Sequence, residues 1–195
     1  SGTVSSLLVM ADDATGALEA GAILAGLGIE TVVELEVWET TPVPAHVRLV
    51  PTRHDSPEKA RERVREALVR LGSPRASVVP AQLYWKTDST LRGPIGACFD
   101  ALLKAFPGRP LVYVPAYPAM GRTVADGVLL LDGVPLAQTV FAQDGRNPVR
   151  HSSVSDAIAP DCSFPIRMIR STRELRGRLE VGRGEVLICD AGTDA

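Results

Sequence analysis

The chain has 195 residues, 45% of them apolar and 23% charged, with a formal net charge of −2. That length supports one sizeable core, or a domain with an appendage, and the composition is that of an ordinary soluble globular domain. Near-neutral charge and sparse aromatics that never interleave with basic residues argue against broad nucleic-acid binding.

The longest apolar stretch, Ala20 to Ile29, is broken by glycines and too short to span a bilayer. No basic segment followed by a hydrophobic run opens the chain, and Cys98, Cys162 and Cys189 form neither a CxxC pair nor a disulfide framework. These features predict a cytoplasmic protein with reduced thiols and no membrane partner.

Leu7 to Ala11 is a continuous apolar run of the kind that forms a central parallel strand. Asp12-Asp13-Ala14-Thr15-Gly16-Ala17 follows, then a helix of small residues to about Leu27, stopped by Gly28. Thr31 to Val37 reads as a second strand, ending near Trp38, and His46 to Val50 as a third, which delivers Thr52-Arg53-His54-Asp55. Ser56-Pro57-Glu58 carries the signals of a helix start, and Ala60, Val64, Ala67, Leu68 and Leu71 trace one stripe of that helix.

A buried strand from Ala81 to Trp85 then leads into Lys86-Thr87-Asp88-Ser89-Thr90-Leu91-Arg92-Gly93. A helix with Pro94 at its first position and Ile95, Phe99, Leu102 and Leu103 on one face leaves that loop. Leu111 to Val114 is the next buried strand, and Pro115 to Thr123 is its loop. Val124 to Arg150 reads as a hairpin-like excursion and Ser152 to Ala159 as a short helix. Ile166 to Ile169 and Glu185 to Cys189 are strands flanking a helix from Thr172 to Leu179, capped by Thr172 or Ser171. Strands alternating with helices predict an α/β fold: an open, mostly parallel sheet with helices on both faces, three-layered and Rossmann-like.

In such a fold ligands sit at the carboxyl ends of the strands. Four loops expected there carry unusual chemistry: Asp12-Asp13-x-Thr15-Gly16, Thr52-Arg53, Lys86 to Gly93, and Gly121-Arg122-Thr123. Together they offer the carboxylates Asp12, Asp13 and Asp88, the cations Arg53, Lys86, Arg92 and Arg122, and the hydroxyls Thr15, Thr87, Ser89 and Thr90. That set suits a small ligand anionic at one end and polyhydroxylated elsewhere, because guanidinium groups clamp carboxylates and aspartates accept hydrogen bonds from sugar hydroxyls. The bland alternative is that Asp12 or Asp13 caps the first helix, that Asp88, Ser89 or Thr90 caps the later one while Lys86 and Arg92 are solvated, and that Arg53 and Arg122 are surface ion-pair partners. His46, His54 and His151 lack metal-ligand spacing, so no metal site is expected, and no GxxxxGK[ST] or GxGxxG motif occurs.

The run Ala11-Asp12-Asp13-Ala14-Thr15-Gly16-Ala17, the run Lys86 to Gly93, Val114-Pro115-Ala116-Tyr117-Pro118, Gly121-Arg122-Thr123 and Asp126-Gly127 resemble one family. This is the N-terminal, sugar-binding domain of the four-carbon acid sugar kinases, which act on threonate, erythronate and 3-oxo-tetronate. Arg53, Gly133-Val134-Pro135-Leu136, Thr139, Asp144 and Pro148-Val149 match more weakly. Ala14 and Pro94 depart from the family's usual larger apolar and polar residues.

The resemblance implies that residues 1–195 form the acid-sugar-binding domain and that ATP and Mg²⁺ are bound mainly by a C-terminal nucleotide-binding domain not in this chain. The isolated chain is then expected to be inactive. Asp12 and Asp88 are the expected catalytic residues, with the base left open between the aspartates and Asp12 favoured. Asp13, Thr15, Arg53, Lys86, Ser89, Arg92, Gly121 and Arg122 are the expected substrate-binding residues, Arg92 holding the substrate carboxylate with help from Arg53 or Lys86. The partners expected are a small sugar acid and the C-terminal domain, with no nucleic acid, and the sequence allows a homo-oligomer. The rival readings are a stand-alone module that binds or senses an acid sugar without catalysis, and an interaction domain whose loop charges are caps and ion pairs.

Overall fold

The computed structural model of the protein describes residues 7–37, 42–71 and 82–193. Trp38 and Ala81, which figured in the sequence reading, lie outside the described residues. The chain divides into two compact units, one of residues 1–53 and 62–88, the other of residues 54–61 and 89–195.

The first unit is built on β1 (Leu7–Ala11), α1 (Ala14–Gly26), β2 (Thr31–Glu34), β3 (Ala45–Leu49), most of α2 (Pro57–Leu71) and β4 (Gln82–Lys86). Its sheet is wholly parallel, in the order β2-β3-β1-β4. Alternation along β1 sends Val9 and Ala11 to one face, where they pack with Val47 and with Ala17, Ala20 and Leu24 of α1. Leu8 and Met10 go to the other face, against Ala67, Leu68 and Leu71 of α2. Helices therefore cover both faces, as the continuous apolar reading of β1 requires. Gly21 is needed for the close approach of α1, since a Cβ there would run into Val33 of β2.

β4 differs from its expected form. It is the edge strand of its sheet, and Tyr84 is 55% exposed, so this apolar run is half-covered rather than buried. On β2 and β3, Glu34 accepts hydrogen bonds from Arg48 (2.7 Å) and pairs with His46 Nδ1 (3.1 Å), all three being buried.

The second unit holds α3 (Ile95–Ala105), β5 (Leu111–Tyr113), β6 (Arg122–Ala125), β7 (Val128–Leu131), β8 (Val134–Pro135), α4 (Val154–Ile158), β9 (Ile166–Ile169), α5 (Thr172–Val181) and β10 (Val186–Cys189). A parallel sheet runs β5-β10-β9, and an antiparallel one β6-β7-β8. The expectation of parallel strands with covering helices holds, but the parallel strands fall into two sheets. α3 is buried from Ile95 to Leu103, with Phe99 edge-on to Tyr113 at 4.8 Å. Gly96 lets α3 meet α4, because a Cβ there would collide with the carbonyl of Ile158.

The excursion after Gly121 is a meander of two hairpins, each turned by two residues, Asp126-Gly127 (φ 49° and 73°) and Asp132-Gly133 (φ 49° and 80°). Two successive positive φ values make the tight turn whose twist matches antiparallel strands, and Asp-Gly supplies it cheaply. The Asp190 carboxylate, just past β10, accepts the backbone N–H groups of Asp126 (2.8 Å) and Gly127 (2.9 Å) and fastens the first hairpin. Among the described residues no helix is long and apolar enough to cross a membrane.

Candidate functional site

In the first unit, Ala11 lies level with Leu49 on one side and Lys86 on the other. Strands β3, β1 and β4 consequently end at one edge and release Thr52-Arg53, Asp12-Asp13 and Thr87-Asp88 together. Backbone bonds hold the edge: Asp12 N–H donates to the Lys86 carbonyl (3.2 Å), and the Asp12 carbonyl accepts from Thr52 (3.2 Å) and Arg53 (3.3 Å).

The side chains then meet. Arg53 Nη2 and Nε donate to Asp12 Oδ1 (2.7 Å) and Oδ2 (3.2 Å), while Nη1 donates to Asp13 Oδ2 (2.6 Å) and lies 3.6 Å from Asp88 Oδ1. Asp13 uses its other oxygen to accept the Gly16 N–H (2.8 Å) as the N-cap of α1. Gly16 is required there, because a Cβ would lie 2.8 Å from that oxygen. Lys86 donates to its neighbour's carbonyl (3.1 Å) and sits 3.3 Å from Glu19, one turn into α1.

Three carboxylates thus share one guanidinium, in a setting where Asp12 is only 4% exposed. Burial pushes the Asp12 carboxyl above its ordinary value, and the Arg53 hydrogen bonds and charge offset only part of that rise. Burial pulls the Arg53 guanidinium down, but its bonds to Asp12 and the surrounding carboxylates outweigh it and push Arg53 up. A desolvated carboxylate of raised basicity, oriented by a bidentate arginine, is suited to accept a proton from a hydroxyl.

In the second unit the N-cap of α3 is Pro94, which makes no side-chain capping hydrogen bond. Leu91 is held at φ 56° and is buried, and Gly93 takes φ 93°. Arg92 Nη1 donates to Asp144 Oδ2 (3.0 Å), and its guanidinium carbon stands 5.5 Å from the Phe141 ring centre. Asp144 Oδ1 accepts the N–H groups of Arg146 (2.9 Å) and Asn147 (2.8 Å). Those backbone donors, Asn147 first, and then Arg92, hold the Asp144 carboxyl at about 2. Arg122 Nη1 donates to the Met120 carbonyl (2.6 Å), and its buried Nε has no hydrogen-bond partner among the described residues. Gly121 turns the chain at φ 70° with the Asp132 carboxylate where a side chain would stand.

The expected residues thus sort into two groups. Asp12, Asp13, Arg53 and Asp88 meet in one cluster, with Lys86 on the same edge; Thr15 is exposed on α1 and Ser89 is half-buried. Ser89, Arg92, Gly121 and Arg122 belong to the second unit. Arg53, read from sequence as a helper at a substrate carboxylate, donates through Nε and both terminal nitrogens to Asp12 and Asp13. Glu19, Asp144 and Phe141 stood outside the expected site residues. A lone carboxylate on an otherwise apolar helix and an aspartate opening a Gly-containing turn were the signals available.

The chain is similar to known proteins. A family model described as "Sugar-binding N-terminal domain" matches residues 7–195. A D-threonate kinase of Salmonella typhimurium is 35% identical over 161 residues, which are 82% of this chain and 38% of that protein. A D-erythronate kinase of Heliobacterium modesticaldum is 33% identical over 186 residues, 91% of this chain and 41% of that one. The chain therefore spans about two-fifths of the length of these curated relatives. Among solved structures, a domain of unknown function from Bordetella bronchiseptica, a domain-swapped dimer with bound citrate, superposes with a TM-score of 0.79 at 28% identity, covering 96% of this chain and 47% of that one.

Proposed function

The chain belongs to the family of sugar-binding N-terminal domains, and we propose that it forms the substrate-binding part of an ATP-dependent kinase that phosphorylates a hydroxyl of a four-carbon sugar acid. The sugar acid is of the threonate, erythronate or 3-oxo-tetronate type. The observation that carries this reading is Asp12, its basicity raised by burial and its plane fixed by Arg53, at the strand edge it shares with Asp13 and Asp88. Two relatives named for threonate and erythronate phosphorylation support the substrate class, as does the hydroxy-tricarboxylate citrate in the Bordetella structure.

Asp12 accepts the proton of the attacking hydroxyl, and Asp88 orients that hydroxyl. Asp13 and Lys86, with Thr15 and Ser89, bind the rest of the polyol; Arg92 clamps the carboxylate, and Arg122 with Gly121 completes the binding set. Arg53 serves by holding Asp12 ionised and in plane. A positioned base of this kind contributes about 10²–10⁴-fold to rate. Among the described residues no group of three or more acidic, histidine or cysteine side chains could hold a metal ion. In this reading ATP and Mg²⁺ are bound mainly by a second, C-terminal domain, which agrees with the lack of a phosphate-cradling glycine motif in this sequence. A cytoplasmic location and a homo-oligomer complete the reading, the latter by analogy with the Bordetella dimer.

The test uses a protein that joins this chain to a nucleotide-binding domain. ATP-dependent phosphorylation of D-threonate or D-erythronate is expected, with kcat/KM lowered about 10²–10⁴-fold in Asp12→Asn. Residues 1–195 alone are expected to bind the acid without turnover. If Asp12→Asn and Asp88→Asn both retain full kcat/KM, the assignment fails, and acid binding without phosphorylation by the joined protein would leave a non-catalytic binding module.

A further inference from the structure

We infer that Asp144 is a positioning residue: it aims the Arg92 guanidinium at the substrate carboxylate and so sets the preference for sugar acids over uncharged sugars. This rests on the reading of Arg92 as the carboxylate clamp.

The two oxygens of Asp144 do separate work. Oδ1 takes the N–H groups of Arg146 and Asn147, and the Asp144 N–H itself donates to the Phe141 carbonyl (3.3 Å), so the carboxylate is fixed to its own turn. Asn147, at the far side of that turn, is tied to His54 at 2.8 Å. Oδ2 is thereby presented as a stationary acceptor, and Arg92 Nη1 is bound to it. The guanidinium carbon stands over the ring of Phe141, from the same segment. A hydrogen bond to Asp144 and this ring contact restrain a side chain that otherwise has many rotamers. Binding a carboxylate bidentately needs an oriented guanidinium, and ordering it beforehand removes an entropic cost from the ligand. The pair is open to solutes, with Arg92 26% and Asp144 25% exposed. A carboxylate held at about 2 stays ionised throughout the physiological range, so its hold on Arg92 does not vary there.

The division between oxygens gives a clean variant. In Asp144→Asn the amide oxygen can keep both turn bonds, while an NH₂ group faces the guanidinium, donor to donor. Calorimetric titration of residues 1–195 with potassium D-threonate and with threitol, its uncharged counterpart, reads the effect. The expected result is acid affinity about tenfold lower, the loss of one well-made charged hydrogen bond, with threitol affinity and thermal midpoint unchanged. Arg92→Gln should lose the same preference. If Asp144→Asn keeps the wild-type preference while Arg92→Gln loses it, or if it binds the acid more tightly, the inference is overturned and the clamp stands. If Arg92→Gln also keeps it, or the wild-type chain shows none, the clamp reading falls and the inference with it. Should Asp144→Asn not fold, Asp144→Ser, whose hydroxyl accepts the same turn bonds, carries the test.

Discussion

Arg53 in the first unit and Arg92 in the second hold carboxylates in opposite proportions. Arg53 faces three, binds two of them through hydrogen bonds, and is nearly buried with them. Arg92 meets Asp144, a carboxylate already satisfied by two backbone N–H groups, in a place water still reaches. In the first place the arginine bonds two carboxylates away from water, so its charge offsets their desolvation. The second place is half-exposed, so its contact contributes orientation more than stability. Removing the cation in each place separates the two cases. Arg53→Met leaves buried acids without a counter-charge and is expected to lower stability by about 3–5 kcal/mol. Arg92→Met breaks a half-exposed pair and should cost about 1 kcal/mol or less. Urea unfolding measures both, and equal losses would break the comparison.

The pH dependence of the first loss has a fixed sign. Asp12 in the fold binds its proton more tightly than the ordinary carboxylate value of 3.8. Its contribution is therefore favourable below that value and declines as pH rises through the raised one. Without Arg53 the folded value rises further. The deficit of Arg53→Met should be larger at pH 7 than at pH 5, and a deficit independent of pH would show that lost packing, not lost charge, is responsible.

A second pair of substitutions sharpens the contrast within α1. Gly16→Ala puts a methyl against the capping oxygen of Asp13, which the cluster also uses, and is expected to cost about 1–3 kcal/mol by overpacking. Gly26→Ala at the other end meets no atom within 4 Å and should gain about 0.5 kcal/mol from helix propensity. Thermal unfolding distinguishes the two, and a neutral Gly16→Ala would mean that the cap and the cluster move freely.

How far these features were legible in the sequence follows from how local each one is. Leu7–Ala11 was readable as a central strand because an unbroken apolar run has few other homes, and Asp13-x-x-Gly16 because a cap acts over three residues. The two Asp-Gly dipeptides between apolar runs announced hairpins more firmly than the loose excursion expected there. The partition of the parallel strands into two sheets was not legible, since lateral pairing is decided by residues far apart in the chain. For the same reason β4 read as buried although it is an edge. At the site, residue types pointed to an acid-sugar ligand, but which carboxylate takes which arginine is a matter of side-chain geometry. The loop position of Arg53 was legible, but its hydrogen bonds to Asp12 and Asp13 were not.

The smallest effect is also the most direct reading of the difference between the two sites. Carboxyl carbon NMR should show Asp12 and Asp144 titrating on opposite sides of an ordinary aspartate. Asp12 moves up because burial outweighs its arginine, whereas Asp144 titrates near 2 because the backbone N–H groups of Asn147 and Arg146, then Arg92, favour its charged form. A lowered value contributes stability that is present above the unfolded value of roughly 3.9 and is lost as pH falls through about 2. In Arg92→Met the Asp144 midpoint should rise only part of the way, because the two N–H donors remain. A full return to the ordinary value would make the arginine, not the turn, the anchor of that carboxylate, and would reverse the direction of control: Arg92 would then position Asp144.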